Sequence, residues 1–469
     1  MDFRIDSVSN LATSVRAGEV SAREMVGHAL ERIDALNPAL NAFVAVDADG
    51  ALAEAAALDD RRARGEEVGA LAGVPFGVKD LEDAIGLPTT HGSLAVASVG
   101  RATCDSTLVA RLRQAGAIVV GKTNTPEFGW TAQTSNPRFG TTRNPWDASK
   151  SPGGSSGGSA AAIAAGMVPL ATGSDGGGSL RIPSALCGLS GFKPSLGRVP
   201  SGGDRPPDWA ALSSKGTMAW RVADIAASLD TVIGPDPTDL RSLPMPDSSW
   251  VRAVDAPGVP LRISWSTNLG YADVDREVLD VCRTAVDRLA DLGAEVVEEP
   301  AVFEADPVFD WITLVSVYLA RTFAAIRGTP AWEQVTPELR AQVEAFGGAS
   351  VLEYMKADDA CHLLNLRLVE VFHRSRLLVC PTVVGQTPVC GAQGIVNGAE
   401  TINWVGLTYP FNMTRSPAGS VCVGRTAQGM PVGLQLIGPQ HGDLVVLRAM
   451  AALEAAVGFD ERPDAAVQT

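Results

Sequence analysis

Two serines framed by glycines, Ser155 and Ser179, have the setting in this chain that is best suited to chemistry. Glycine loses more backbone freedom on folding than any other residue, so a run of glycines indicates unusual backbone angles or close approach to a ligand. Main-chain N–H groups that converge on one point can bind a ligand or stabilise a developing oxyanion. The segment therefore predicts a site of this kind. Its glycines are Gly153, Gly154, Gly157 and Gly158 around the first serine and Gly176, Gly177 and Gly178 before the second.

Glycine–serine runs also occur as flexible linkers. Residues 150–190 nevertheless continue into SAAAIAAG, which is typical of a helix, and then into VPLATG, a short apolar strand pattern. We therefore interpret this stretch as an ordered part of the fold.

A histidine is one base that could activate a serine here. The expression G-x-S-x-G fits both Ser155 and Ser156, as in the nucleophile elbow of an α/β-hydrolase. That elbow needs a preceding strand and a downstream histidine. WDASKSPGG is not a strand pattern, but His362, His373 and His441 are available as bases.

A lysine is the other candidate base. Lys79 ends the apolar strand pattern LAGVPFGVK, and a lysine in such a place usually reaches solvent. A lysine accepts a proton only as a neutral amine, which requires burial or neighbouring charges that lower its pKa. Because Ser–Lys pairs are an established variant of the serine triad, the residues alone leave the base open.

The composition limits the classes of function. With 46% hydrophobic and 19% charged residues among 469, the chain is expected to be globular with a large core. Its net charge of -15 opposes binding to nucleic acid or to an anionic membrane surface. The N-terminus lacks a basic region followed by an apolar one, and no apolar run is long enough to cross a membrane, so we expect a cytoplasmic protein.

Cysteine and histidine usage points away from metals. The seven cysteines are scattered without a C-x-x-C pair, which fits a reducing compartment. No H-E-x-x-H sequence is present, so we expect neither a metal nor a cofactor.

Periodicity predicts the elements that position these residues. A capping box at Ser21 to Glu24 begins a helix that Asn37-Pro38 is expected to end. Strand, helix and strand patterns between residues 261 and 297 predict a parallel pair in a sheet covered on both faces. Residues 310–374 are helical in pattern, with aromatic side chains that mostly enter the core.

One segment matches the sequence motif of a phosphate-binding loop but not its secondary structure. GAIVVGKT, residues 116–123, fits G-x-x-x-x-G-K-[ST], but AIVV is a strand pattern and not a loop of inward N–H groups. Asn124-Thr125-Pro126 also does not begin the required helix. We therefore reject nucleotide binding at this segment.

The motifs together resemble the amidase signature family, from the N-terminal helices to the last helix. The resemblance implies a single α/β/α domain over residues 1–469, with a large mixed β-sheet covered by helices on both faces. Within it, we expect a helical layer at 1–70, the sheet core at 71–300 and 376–460, and a substrate-side helical cover at 301–375. The matching segments are GVPFGVKD at 73–80, GKTNTPEFG at 121–129, FGTTRNPW at 139–146, residues 151–198, and PVGLQLIG at 431–438.

This resemblance implies a Ser-cisSer-Lys triad with Ser179 as the nucleophile. Ser155, after a cis peptide bond, would bridge to Lys79 as the base. The implied oxyanion hole consists of main-chain N–H groups, and three further residues would support the site. These are Gly176, Gly177, Gly178 and Ser179 for the oxyanion hole, and Ser156, Asp175 and Arg181 as supporting residues.

The family position of Gly176 commonly carries Thr or a larger residue. We therefore expect a looser loop or more room beside the substrate here. The role of Cys187, close to the nucleophile, is left open by the sequence.

The implied function is hydrolysis of linear amides through an acyl-serine intermediate. Neutral apolar or aryl amides are the expected substrates, with ester or carbamate (urethane) hydrolysis as a side activity. The expected partner is a small-molecule amide substrate. The protein is expected to be a monomer or a homodimer. The alternative is the amidase subunit of a glutamine-dependent amidotransferase, although Ile182 and Ser195-Leu196 differ from the Gln and Thr-Tyr expected in that branch.

Overall fold

Most of the chain is described by the structure, a computed structural model, which covers residues 1–96, 100–203, 206–207, 209 and 212–464. Its strands are β1 (Phe43–Val46), β2 (Pro75–Lys79), β3 (Ile118–Thr123), β4 (Ser135–Asn136), β5 (Gly140–Thr141), β6 (Leu170–Asp175), β7 (Ser190–Lys193), β8 (Ser214–Ala219), β9 (Arg262–Trp265), β10 (Glu295–Glu298), β11 (Leu377–Pro381), β12 (Gly394–Val396), β13 (Ala399–Thr401), β14 (Ala418–Arg425) and β15 (Pro431–Ile437).

Eleven of these strands form one sheet, in the order β1-β3-β2-β6-β8-β7-β14-β15-β11-β9-β10. The pairs β3–β2, β2–β6, β11–β9 and β9–β10 are parallel and the others antiparallel. The sheet is therefore large and mixed, which confirms the expected fold class.

Helices connect and cover the strands. They are α1 (Val8–Ala17), α2 (Ala22–Leu40), α3 (Ala48–Ala63), α4 (Thr107–Gln114), α5 (Gly157–Ala164), α6 (Arg181–Cys187), α7 (Val222–Val232), α8 (Trp250–Asp255), α9 (Arg276–Asp291), α10 (Val308–Phe323), α11 (Pro337–Phe346), α12 (Val351–Arg374), α13 (Pro410–Met413) and α14 (Asp443–Val457).

Neighbouring residues of β14 show that both faces of the sheet are covered. A Cβ added to Gly419 would meet Met450 of α14. A Cβ added to Gly433 in β15 would meet both Ala185 of α6 and the Ser420 hydroxyl. Because Gly419 and Ser420 are successive strand residues, their side chains point to opposite faces. Helices α14 and α6 therefore lie on opposite sides of the sheet.

Burial explains why the glycine–serine stretch is rich in small residues. All eight residues of α5 are buried, as are all residues of β2 and β6. A helix that is apolar on every side has protein around its whole circumference. Small side chains allow α5 to approach β2, β6 and β8 closely.

The structure tests three of the local predictions. The strand–helix–strand unit is confirmed, since β9 and β10 pair in parallel around α9. The sequence GKT at the supposed phosphate loop lies in β3, where Lys122 is buried. The predicted end of α2 at Pro38 is wrong, because the helix continues to Leu40. Leu40 is buried and Asn41 N–H still donates to the Asn37 carbonyl at 2.7 Å, so packing and a C-terminal hydrogen bond hold the last turn.

Helices α10, α11 and α12 pack around an apolar cluster of their own. Phe323, Trp332 and Leu339 are buried within it. Trp209 and Trp311 are half-buried and pack against the same cluster, on the side of the glycine–serine loops.

Within the described ranges, no helix combines the length and the apolar character that crossing a membrane requires. In the same part of the chain, no three or more His, Cys, Asp or Glu side chains are grouped so that they could hold a metal ion.

Candidate active site

The sheet topology brings the predicted base and the two serine loops to one edge. Strands β2 and β6 are parallel neighbours, with Phe76 opposite Leu170 and Gly77 opposite Ala171. Parallel strands have their carboxyl ends at the same edge of a sheet. Lys79 is the last residue of β2, and it therefore lies beside the end of β6.

The Lys79 amine lies among three hydroxyl groups. Its Nζ is 2.8 Å from Ser155 Oγ, 2.9 Å from Ser156 Oγ and 3.0 Å from Ser174 Oγ. The Lys79 backbone N–H donates to Thr172 Oγ1 at 2.9 Å, which fixes the end of β2 against β6. Lysine and serines therefore form one buried hydrogen-bonded cluster.

Burial makes Lys79 an unusual lysine. The side chain has no exposed surface. Desolvation, followed by repulsion from Lys215, lowers its pKa to about 7, while Glu82 and Asp175 act in the opposite direction. Near neutral pH, a substantial fraction of Lys79 is therefore the neutral amine that can accept a proton.

The peptide bond between Gly154 and Ser155 is cis. Ser155 is buried beside Lys79, and Ser156 follows it as the residue before α5. The Ser156 hydroxyl donates to the Ser174 carbonyl at 3.4 Å, so it links the two serine loops.

Asp175 and Arg181 hold the loop that carries Ser179. Both are fully buried, and Arg181 donates to the carboxylate at 2.9 Å from Nε and 2.8 Å from Nη2. Burial alone would raise the pKa of Asp175, but the charge and hydrogen bonds of Arg181 keep that pKa below its ordinary value. Arg181 also donates to three acceptors on other elements, Thr408 O, Gln435 Oε1 and Asn412 Oδ1.

The main-chain N–H groups of this loop are not equivalent. Gly178 N–H donates to Asp175 Oδ1 at 2.7 Å. In the part of the chain that the structure describes, no acceptor is bonded to the N–H groups of Gly176, Gly177 and Ser179. Within the described residues, three donors of the predicted set are therefore without an acceptor, and the fourth holds the turn.

Two side chains that the sequence did not indicate fix the carbonyls of the same loop. Trp311 Nε1 donates to Gly176 O at 3.0 Å, and Thr408 Oγ1 donates to Gly177 O at 2.6 Å. In a trans peptide the N–H points away from the carbonyl. Trp311 therefore directs the Gly177 N–H to the opposite side of the loop.

The room expected beside Gly176 is filled. A Cβ on Gly176 would come within 2.4 Å of the Trp209 ring, and one on Gly177 within 2.6 Å of the Trp311 ring. The two indoles contact each other edge to face, with centroids 6.3 Å apart. The expectation of more space beside the substrate is therefore wrong, because Trp209 occupies it.

Ser179 is half-buried where two cavities meet. We call the smaller one, with a volume of about 50 Å³, the inner cavity and the larger one, with a volume of about 670 Å³, the outer cavity. The inner cavity is lined by Phe128, Ser155, Ser179, Trp209, Lys215 and Leu319, among others. The outer cavity is lined by Trp130, Ser179, Trp209, Trp311, Trp404 and Tyr409, among others.

The histidines of the hydrolase alternative lie elsewhere. His362, His373 and His441 are exposed, and none lines either cavity. Residues 151–154, before Ser155, form no strand, so the elbow geometry is missing. Cys187 is buried, its thiol donates to the Pro152 carbonyl at 3.5 Å, and burial raises its pKa. It lines neither cavity.

Comparison with known proteins identifies the family of this chain. A family model described as Amidase matches residues 24–447. An acylamidase of Rhodococcus erythropolis is 37% identical in sequence, and the match covers 96% of this chain and 95% of the acylamidase. A glutamyl-tRNA(Gln) amidotransferase subunit of Chloroflexus aggregans is 36% identical, over 98% of each chain. The solved structure of a bacterial aryl acylamidase of the amidase signature family has a TM-score of 0.90 and 30% identity, over 96% of both chains. This chain therefore belongs to the amidase signature family, and it is an amidase acting on carbon–nitrogen bonds other than peptide bonds.

Proposed function

We propose that this amidase hydrolyses linear amides through an acyl-serine intermediate on Ser179, with Ser155 as the bridging serine and Lys79 as the base. The observation that carries the proposal is the buried Lys79 amine, 2.8 Å from Ser155 Oγ, with a pKa lowered to about 7. Ser155 and Ser179 line the same inner cavity. A proton acceptor, a relay and a nucleophile thus share one site.

The relay follows from the hydrogen-bonding capacity of the lysine. As a neutral amine, Lys79 donates two hydrogen bonds and accepts one. It can therefore donate to Ser156 and Ser174 and accept from Ser155. When Ser179 Oγ attacks the carbonyl carbon, its proton passes to Ser155 Oγ while the Ser155 proton passes to Lys79.

The second half of the reaction returns the proton. Collapse of the tetrahedral intermediate breaks the carbon–nitrogen bond, and the leaving nitrogen takes a proton from Ser155, which is replenished from Lys79. Water then attacks the acyl-serine through the same relay, and Ser179 regains its proton as the acid leaves.

The oxyanion binds to main-chain N–H groups in this proposal. The three donors that have no acceptor among the described residues, on Gly176, Gly177 and Ser179, take this role. Gly178 belonged to the predicted set, but its N–H is bonded to Asp175, so we assign it to holding the turn. Asp175 and Arg181 support the loop from behind.

The walls of the outer cavity favour a neutral, apolar or aryl substrate. Trp130, Trp311 and Trp404 are among its lining residues, and α10, α11 and α12 would form the cover at 301–375 on the substrate side. Among the described residues that line this cavity, Glu338 is the charged one. Esters and carbamates are expected side substrates, because the same tetrahedral intermediate serves them.

The amidotransferase subunit remains the second candidate, because relatives at 36–38% identity carry that name. Glutamine has an α-carboxylate, which proteins usually bind with Arg or Lys. No Arg or Lys is found among the described residues that line the outer cavity. This absence, together with Ile182, favours a stand-alone amidase. Stable co-purification of the expressed protein with a tRNA-modifying partner would reverse this preference.

The test compares amine release from phenylacetamide, acetanilide and an aryl carbamate. Ser179→Ala and Lys79→Ala are each expected to lower kcat/KM by about 10⁴-fold or more. Ser184→Ala is the matched control, since Ser184 is a buried serine of α6 whose hydroxyl has no hydrogen-bond partner in the described structure. Full activity of Ser179→Ala on every accepted substrate would contradict the proposal.

A further inference from the structure

The two cavities that meet at Ser179 differ greatly in size. The inner cavity of about 50 Å³ holds roughly three to five water molecules, which is less than a phenyl ring requires. The outer cavity of about 670 Å³ is in the range of small-molecule sites. A substrate with one bulky and one small side is therefore expected to fit better in one orientation than in the other.

The position of Ser155 indicates which cavity holds the leaving amine and which holds the acyl group. In the proposed function, on which this inference rests, Ser155 gives its proton to the leaving nitrogen. Ser155 lines the inner cavity, whereas Gly154 is the residue of this loop that lines the outer one. Proton transfer requires the nitrogen to lie within hydrogen-bond reach of Ser155 Oγ. The leaving amine is therefore on the inner side, and the acyl group extends into the outer cavity.

The walls of the inner cavity are held by packing. Trp209 lies against Gly176 and Trp311. Phe128 contacts Phe323 edge to face at 4.7 Å between ring centroids. Aromatic walls that are packed on their far side cannot retreat to admit a larger group without loss of those contacts.

Polar groups also line the inner cavity. Lys215, whose ammonium is paired with Glu82, and Ser213 are among its lining residues. Ammonia can form hydrogen bonds with such groups, and an arylamine would bury its ring against them. The outer cavity presents the opposite surface, with Trp311 stacked on Tyr409 at 5.3 Å between centroids.

We infer that the preferred substrates are primary amides of bulky, aromatic acids, which release ammonia into the inner cavity, and not arylamides of small acids. The bond broken joins the carbonyl carbon to the nitrogen. The aromatic acid remains on Ser179 until water releases it.

A leaving-group series at constant acyl group tests this inference. The substrates are 3-phenylpropanamide, its N-methyl amide and its anilide, with acetanilide as the reversed arrangement. We expect kcat/KM to fall along the series, by about 10²-fold or more from the primary amide to the anilide. This order opposes intrinsic reactivity, because aniline is a better leaving group than ammonia. Acetanilide is expected to be as poor a substrate as the anilide.

The outcomes separate this inference from the proposed function. Serine-dependent hydrolysis that is as fast or faster with either anilide would overturn the inference and leave the acyl-serine mechanism intact. Hydrolysis of none of the four amides would overturn both.

A matched pair of variants tests the wall directly. Leu319→Ala enlarges the inner cavity, while Leu314→Ala removes the same atoms from a buried position of the same helix that lines neither cavity. We expect Leu319→Ala to raise the ratio of N-methyl to primary amide hydrolysis about tenfold, and Leu314→Ala to leave the ratio as in the wild type. The ratio is measured within one enzyme sample, so partial unfolding cancels. An unchanged ratio in Leu319→Ala would overturn the assignment of the leaving group to this cavity.

Discussion

The indole N–H of Trp311 donates to the carbonyl of Gly176 at 3.0 Å, across 135 residues of sequence. This hydrogen bond joins the helical region of α10 to the loop that carries the nucleophile. It sets the plane of the peptide between Gly176 and Gly177, and with it the direction of the Gly177 N–H group. The helix that lines the outer cavity therefore also orients the proposed oxyanion hole.

Trp311→Phe is expected to lower kcat more than it raises KM. The substitution keeps an aromatic ring in the outer cavity and removes only the donor to Gly176. Because the variant disturbs an oxyanion donor without removing it, we expect a loss of about tenfold, below the 10²–10³ for loss of a donor. Steady-state kinetics on a primary aromatic amide measure the separate effects on kcat and KM.

Trp404→Phe is the control for this variant, since Trp404 lines the outer cavity without a hydrogen bond to the loop. Its effect should fall mainly on KM. If Trp311→Phe showed the same pattern as Trp404→Phe, the indole would act only as cavity wall.

The lowered pKa of Lys79 predicts the acid limb of the pH profile. Protonated lysine cannot accept the Ser155 proton, so activity requires the neutral form, which predominates above pH about 7. We expect kcat/KM to rise about tenfold per pH unit well below this value and to level off above it.

Lys215→Met should move this limb to higher pH. Lys215 repels the protonated form of Lys79, and its removal also leaves Glu82, which attracts that form, without its partner. Both changes raise the pKa of Lys79. Lys356→Met, at an exposed position of α12, serves as the control and should leave the limb in place. A limb that stays fixed in both variants would mean that Lys79 is not the titrating group.

The position of the glycine–serine loops could be predicted because the motif is continuous in the sequence. Ser155 and Ser179 each carry their own glycines, and the intervening helix and strand patterns fix how the two loops meet. The burial of Lys79 could not be predicted from its own strand. It depends on β2 lying between β3 and β6 and on α5 packing over it, which are non-local relationships.

The side chains that hold the oxyanion loop, Trp311 and Thr408, were even harder to predict from the sequence. Trp311 is one aromatic residue among several in a helical region, and Thr408 lies outside any recognised motif. Each acts through a single hydrogen bond to a distant carbonyl, so no spacing or periodicity indicates it. The same holds for Trp209, whose contact with Gly176 reversed the expectation of free space.

Arg181→Leu is expected to destabilise the protein strongly. The variant leaves the Asp175 carboxylate buried without its cation, which costs about 3–5 kcal/mol in free energy of unfolding. Arg181→Lys keeps the charge but cannot reproduce the fork of hydrogen bonds, so we expect an intermediate loss. Urea denaturation measures both.

The control for this prediction is an exposed ion pair. Arg367→Leu removes the partner of Glu370 on the surface of α12, which should cost less than about 1 kcal/mol. Equal losses for Arg181→Leu and Arg367→Leu would show that the buried pair contributes little to holding the loop.

Gly176→Thr restores the residue type common in the family and is nevertheless expected to impair this enzyme. The new Cβ would lie 2.4 Å from Trp209, so the indole or the loop must move. We expect kcat/KM to fall about tenfold or more, because the N–H groups beside it lose their alignment. Gly27→Thr is the control, since a Cβ at this helix position meets nothing within 4 Å.

Adding Trp209→Ala to Gly176→Thr should recover much of the lost activity, because it removes the ring that the new side chain meets. A double-mutant cycle on kcat/KM then gives a coupling energy of about 0.5–3 kcal/mol, the range for residues in contact. The single variant Trp209→Ala measures how much kcat/KM falls when the cavity loses this indole. Additive effects of the two substitutions would show that Gly176 is required for a reason other than the indole packed against it.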